Sequence, residues 1–80
     1  MPEEIDLDQV SVSPNMHSTW EAITTSMAEL LHRHGILLSE VDEKARVEGD
    51  GSLTIFAKLP MGEVSLRVPP REWAYRFPRN

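Results

Sequence analysis

Apolar residues recur at helical spacing in the stretch from Ser18 to Gly35. Ser18 and Glu21 have the spacing of a capping box, which predicts that the helix begins at Thr19. At about 100° per residue, the apolar positions fall in one sector roughly 120° wide, which we expect to be buried. Gly35 is predicted to end the helix in the left-handed conformation. The apolar stripe consists of Trp20, Ile23, Met27, Leu30, Leu31 and His34.

Alternation with period two replaces the helical spacing in the second half of the chain. Residues 44–48 and 53–59 each alternate, and the Gly-Asp-Gly sequence of residues 49–51 is typical of a hairpin turn. Residues 60–62, Pro-Met-Gly, predict a second turn, and residues 63–68 predict a third strand. Two prolines follow this strand and are expected to end the sheet, since proline cannot donate to a strand ladder.

The order of these elements predicts the α+β class, with one amphipathic helix packed on a three-stranded antiparallel β-meander. Residues 16–80 are predicted to form a single domain. Residues 1–15 are predicted to be an acidic N-terminal arm or an edge strand, because two short alternating pieces in them are out of phase by one residue. After Pro70 the chain is predicted to form either a short strand or a short helix that carries Trp73 and Phe77 on one side.

The net charge of −5 on 80 residues is unevenly divided. Residues 1–50 contain eleven acids and three bases, a balance of −8, whereas residues 51–80 contain two acids and five bases, a balance of +3. The chain has no cysteine, which excludes a disulfide framework and favours a reducing compartment. The acidic residues 1–4 do not resemble a secretory signal, and no apolar run approaches the roughly 18 residues of a membrane span. We therefore expect a cytoplasmic location and no membrane insertion.

No sequence motif for catalysis, a metal or a cofactor accompanies this pattern. His32 and His34 differ by about 200° around a helix and cannot hold one ion together. On the apolar stripe, His34 is predicted to be packed or to cap the helix. The four glycines are all assigned to turns or to the helix end, which leaves no phosphate-binding loop. We expect a non-enzymatic protein with no cofactor and no metal.

The outer face of the predicted sheet is mildly basic and has Phe56 near its middle. Because burial of a phenylalanine is worth about 1.5–3 kcal/mol, we expect this ring to be covered, either by the C-terminal aromatic residues or by a partner. Those aromatic residues alternate with arginines, a combination found in protein-interface hot spots and in single-stranded nucleic-acid binders. The candidate partner-binding residues are Phe56, Arg67, Arg71, Trp73, Tyr75, Arg76 and Phe77.

These features predict a small protein-interaction domain, such as an adaptor, inhibitor or accessory subunit, that binds a protein partner through this aromatic and arginine surface. One alternative is a nucleic-acid-binding module that uses the same residues, although the acidic first half would repel phosphates. A second alternative is an acidic inhibitor of a nucleic-acid-binding protein. The open edges of the sheet also allow a homodimer. The inhibitor would use Glu3, Glu4, Asp6 and Asp8.

Overall fold

The computed structural model describes residues 3–76, which fold into one α-helix and six short strands. The α+β class predicted from the sequence is confirmed. Three single 3-10 turns, at Leu7–Gln9, Leu38–Glu40 and Pro70–Glu72, join these elements. The elements are β1 (Glu3–Asp6), β2 (Val10–Val12), α1 (Pro14–Arg33), β3 (Glu43–Val47), β4 (Leu53–Leu59), β5 (Gly62–Val68) and β6 (Trp73–Tyr75).

Four of the strands form an antiparallel sheet in the order β1-β3-β4-β5. Ile55 on β4 lies opposite Ala45 on β3 and Leu66 on β5, so all three side chains face α1 on the inner side of the sheet. The predicted meander of β3, β4 and β5 is therefore present. At its edge β1 adds a fourth strand, with Ile5 opposite Ala45.

The two out-of-phase N-terminal pieces belong to two different sheets. β1 joins the large sheet, whereas β2 pairs with β6 in a separate two-stranded antiparallel sheet. The 3-10 turn at Leu7–Gln9 lies between them, where its own hydrogen bonds separate the alternation of β1 from that of β2. This turn is the physical reason for the phase change seen in the sequence.

The start of α1 differs from the prediction. The helix begins at Pro14 rather than Thr19, and Ser13 is the extended residue before it. Proline suits the first helical position because its φ is already fixed near the helical value and its missing N–H is not needed there. Ser18 and Glu21 lie inside the helix, so the predicted capping box is wrong.

The end of α1 follows the prediction. Gly35 has φ of 72°, and its N–H donates to the carbonyl of His32 at 3.1 Å. The N–H of Ile36 donates to the carbonyl of Leu31 at 2.9 Å, which completes a Schellman motif. His34 is the C-cap and is exposed. The expectation that His34 packs in the core is wrong. The alternative, that it caps the helix, agrees with its position as the C-cap.

The core lies between α1 and the inner face of the large sheet, and β2 closes one end of it. Of the predicted helical stripe, Trp20, Met27 and Leu31 are buried, whereas Leu30 is 39% exposed. The predicted stripe is thus wider than the surface that the sheet covers. The buried apolar residues on the inner side of the sheet form two clusters: Val10, Trp20, Ala45, Leu53, Ile55 and Val68 in the first, and Met27, Leu31 and Ala57 in the second.

The strand β6 is attached to the core through Trp73. Its half-buried ring packs against the first core cluster, and its Nε1 donates to the carbonyl of Gly51 at 2.9 Å. Tyr75 contacts the same indole edge to face, with ring centroids 5.2 Å apart. Of the two alternatives after Pro70, the short strand is present at Trp73–Tyr75. The chain makes a single 3-10 turn at Pro70–Glu72, and the prediction of a helix that carries Trp73 is wrong.

We expect substitutions at Trp73 to lower the stability of the whole fold. Trp73→Phe keeps an aromatic ring but loses the hydrogen bond to Gly51, which predicts a loss of about 1 kcal/mol in the free energy of unfolding. Trp73→Ala also removes the packing and should cost about 2–4 kcal/mol. Urea denaturation followed by circular dichroism measures both. Equal stability of Trp73→Ala and the unsubstituted protein would contradict this packing.

Candidate interaction surfaces

Phe56 lies on the outer face of β4 and is only 3% exposed. The guanidinium of Arg46, on the neighbouring strand, lies over the ring at 5.2 Å from its centroid. The Nε of Arg46 also donates to Glu48 at 2.7 Å, and this bond raises the pKa of Arg46 above its usual value. A charge fixed in this way can stack on the ring and shield it from water.

The cover over Phe56 is therefore different from the one predicted. Successive residues of a strand face opposite sides, so Phe56 points away from Ile55 and from the core cluster that contains it. Trp73 and Tyr75 pack against that cluster, and the prediction that they fold back onto Phe56 is wrong for both. Phe77 lies outside the described residues.

We expect Phe56→Ala to destabilise the protein by about 3–5 kcal/mol, as is usual for truncation of a buried phenylalanine. Lys58→Ala is the matched control, because Lys58 is an exposed residue on the same face of the same strand. It should change the free energy of unfolding by less than about 0.5 kcal/mol. Thermal denaturation of both variants decides this. A stable Phe56→Ala protein would show that the ring is a surface residue.

The predicted arginines lie at three separate places. Arg67 is on the outer face of β5, Arg71 is in the 3-10 turn before β6, and Arg76 follows β6. All three are exposed. Arg67 is hydrogen bonded to Asp50 in the β3–β4 turn. The aromatic and arginine residues that alternate along the sequence are thus divided between the core and the surface.

Asp50 organises the turn between β3 and β4. One of its carboxylate oxygens accepts hydrogen bonds from the hydroxyl and the N–H of Ser52, at 2.6 and 3.0 Å. The other accepts from Arg67. The bonds from Ser52, helped by the charge of Arg67, lower the pKa of Asp50 from 3.8 to about 2. The turn therefore holds a carboxylate that stays ionised in moderately acidic solution.

The depressed pKa of Asp50 predicts how stability depends on pH. Because the folded pKa of about 2 lies below the ordinary 3.8, Asp50 stabilises the fold above about pH 4, and this contribution is lost as the pH falls towards 2. Ser52→Ala should raise the pKa of Asp50 towards 3.8, measured by NMR titration of its carboxyl carbon. Asp50→Asn should flatten the fall in melting temperature between pH 4 and pH 2. An unshifted titration in Ser52→Ala would contradict the assignment.

The acidic N-terminal residues border the large sheet. Glu4 and Asp6 lie on the outer face of β1, and the Asp6 carboxylate is 3.8 Å from the Lys44 ammonium. Asp8 is exposed in the following 3-10 turn. Across residues 3–76, no group of three or more histidine, aspartate or glutamate side chains is placed to hold a metal ion.

An apolar groove between α1 and β5 is the feature that sequence reasoning missed. It has a volume of about 470 Å³. Leu30 lies at its margin, and Val64 contributes the wall on β5. The signal in the sequence lies at one margin of the helical stripe. Leu30 is the last large apolar residue on that side, and the small residues Ala22 and Ser26 lie next to it around the helix. A wider sheet would be needed to cover them. The groove is lined by Thr19, Ala22, Ile23, Ser26, Met27, Leu30 and Val64.

The groove lies beside an open edge of the large sheet. β5 is the last strand in the order and has seven residues, with no strand beyond it in the part of the chain that the structure describes. Every second residue of such a strand directs its N–H and C=O groups away from the sheet. At the opposite edge, β1 has four residues, three of them acidic. The two edges therefore differ in length and in charge.

No family model matches this chain, and neither the curated proteins nor the solved structures compared with it contain a match. Within residues 3–76, α1 and the 3-10 turns are all too short or too polar to cross a membrane.

Proposed function

We propose that this chain is a non-enzymatic protein-interaction domain that binds an extended segment of a protein along the edge of β5. The observation that carries the proposal is the position of the apolar groove directly beside that open edge. An added strand gains backbone hydrogen bonds from the edge and specificity from pockets that receive alternate side chains. Such a domain would act as an adaptor, an inhibitor or an accessory subunit, and the lack of cysteine suits a cytoplasmic location.

The two faces of β5 would recognise different parts of the bound segment. Val64 and Leu66 point to the inner side, where the groove can receive apolar side chains. Glu63 and Arg67 are exposed on the outer side, where they would meet charged residues. A segment with alternating apolar and charged residues fits this edge.

The proposed function is still that of a protein-interaction domain, but the proposed binding surface is the edge of β5 and the groove rather than the aromatic and arginine residues. Phe56, Trp73 and Tyr75 are packed within the domain, so their support for binding is indirect. Arg67 lies on β5 itself and belongs to the proposed interface. The roles of the remaining candidates, Arg71, Arg76 and Phe77, stay predictions.

The nucleic-acid alternative has less support from the geometry. Stacking on bases needs exposed aromatic rings, and Phe56 is covered while Trp73 is half-buried. Arg46 is paired with Glu48, which lowers the positive charge that the outer sheet face offers to phosphates. The acidic-inhibitor alternative stays a prediction as well.

Leu30→Lys tests the groove, because it places a charge at the apolar margin. Extended peptides selected from a random library on the unsubstituted protein should bind Leu30→Lys about tenfold more weakly or worse. Thr25→Lys is the matched control, since it introduces the same residue at an exposed position outside the groove. It should bind the peptides as the unsubstituted protein does. Fluorescence anisotropy gives the affinities.

NMR mapping of the same peptides locates the site. The proposal expects the largest amide shifts along β5 and at the groove residues of α1. Shifts confined to other strands, or equal binding by Leu30→Lys, would overturn it. Generic single-stranded and duplex oligonucleotides form the comparison: binding to them alone, with an affinity that falls steeply with salt, would support the nucleic-acid alternative instead.

A further inference from the structure

We infer that the segment received by β5 is the β5 strand of a second copy of this chain, which would form a symmetric dimer. This inference rests on the proposed function, because it names the partner for the same edge. The two strands run antiparallel about a two-fold axis through Ser65, and the two sheets join into one. A two-fold contact of this kind uses the same surface of both copies and closes on itself.

The sequence of β5 is self-complementary about Ser65. In an antiparallel pair centred there, residue 63 lies opposite residue 67 of the other copy, and residue 64 lies opposite residue 66. Glu63 therefore faces Arg67 twice, on the outer side of the joined sheet, where the remaining N–H groups of each Arg67 are available beside its hydrogen bond to Asp50. Val64 faces Leu66 twice, on the inner side. Directly opposed pairs of opposite charges and of apolar residues both stabilise an antiparallel sheet, whereas like charges destabilise it.

Other registers of the same pairing lose this match. The inner faces of both copies must lie on the same side of the joined sheet. The two-fold axis can therefore pass only through a residue of β5, because only then do Val64 and Leu66 of both copies stay on that side. Centring the axis on Leu66 places Ser65 opposite Arg67, and centring it on Val64 places Glu63 opposite Ser65. Both shifts remove both ion pairs. The charges on β5 thus select one register.

The groove supports the same arrangement. It lies on the inner side of β5 next to Val64, so pairing of the two strands brings the two grooves together over the joined edge. The apolar side chains that line one groove then face those of the other. Leu30, which is 39% exposed at the groove margin, is covered more completely.

The other edge of the sheet is unsuited to self-pairing. An antiparallel pair of β1 strands centred on Ile5 places Glu4 opposite Asp6 twice, so like charges oppose each other. Pairing of β1 with β5 joins copies head to tail, so it would produce a ring or a filament rather than a symmetric dimer.

Charge reversal on β5 tests the dimer. Sedimentation velocity from micromolar to millimolar concentration should show the unsubstituted protein passing from monomer to dimer. Arg67→Glu places two glutamates opposite each other twice, and Glu63→Arg does the same with arginines. Each variant should self-associate about tenfold more weakly or worse. An equimolar mixture of the two restores both ion pairs and should associate as the unsubstituted protein does.

Arg33→Glu is the matched control, because Arg33 is an exposed residue of α1 outside the groove. It should leave the monomer–dimer equilibrium unchanged. Circular dichroism must show each variant folded; if Arg67→Glu unfolds because a second carboxylate lies beside Asp50, Glu63→Arg alone still tests the register. The inference is overturned by a monomer at every concentration, by larger species that grow without limit, or by a mixture that associates no better than its components.

The outcomes also separate this inference from the proposed function. A monomer whose β5 amides still shift with the selected peptides contradicts the dimer and leaves the interaction domain in place. A monomer that binds no peptide at β5 contradicts both.

Discussion

The rest of the fold depends on the burial of β4 on both of its faces. Residues 52–57 are all buried, so consecutive side chains on opposite sides of one strand must be covered. Within residues 3–76 there is one α-helix, and it covers the inner face. On the outer face, Arg46 lies over Phe56. The stem and the planar guanidinium of an arginine can do this while the charge stays in contact with water.

This constraint explains why one margin of the helix is left uncovered. The buried side chains of α1 pack with inner side chains of β3, β4 and β5, and β2 and β6 close one end of the core around Trp20 and Trp73. On the side of β5 the chain supplies no further strand among its described residues, so Leu30 and Val64 border a groove instead of a filled core. The groove and the open edge are thus two results of one arrangement.

The elements that local chemistry determines were predictable from the sequence. Turn residues and period-two alternation predicted the bounds of β4 and β5 closely. Gly35 marked the helix end because the chain there adopts a φ of 72°, a conformation that favours glycine. The helix start was missed because Ser18 and Glu21 have a spacing that occurs equally inside a helix, whereas Pro14 was the decisive signal. The cover of Phe56 and the groove depend on how wide the sheet is relative to the helical stripe. The relative width of sheet and stripe depends on tertiary packing, so no local pattern in the sequence predicts it.

The charges on β5 also restrict the strands that could pair with its edge. A parallel copy of β5 would bring Glu63 beside Glu63 and Arg67 beside Arg67, so the same two residues that favour an antiparallel copy oppose a parallel one. Exposed edges are templates for unwanted pairing, and charged residues are a common means of restricting it. A domain of this length buries only about 60% of its unfolded surface, so further burial at the edge adds to a small core. Association of native copies would then stabilise the fold by mass action, which couples the folding of this chain to the pairing of its open edge.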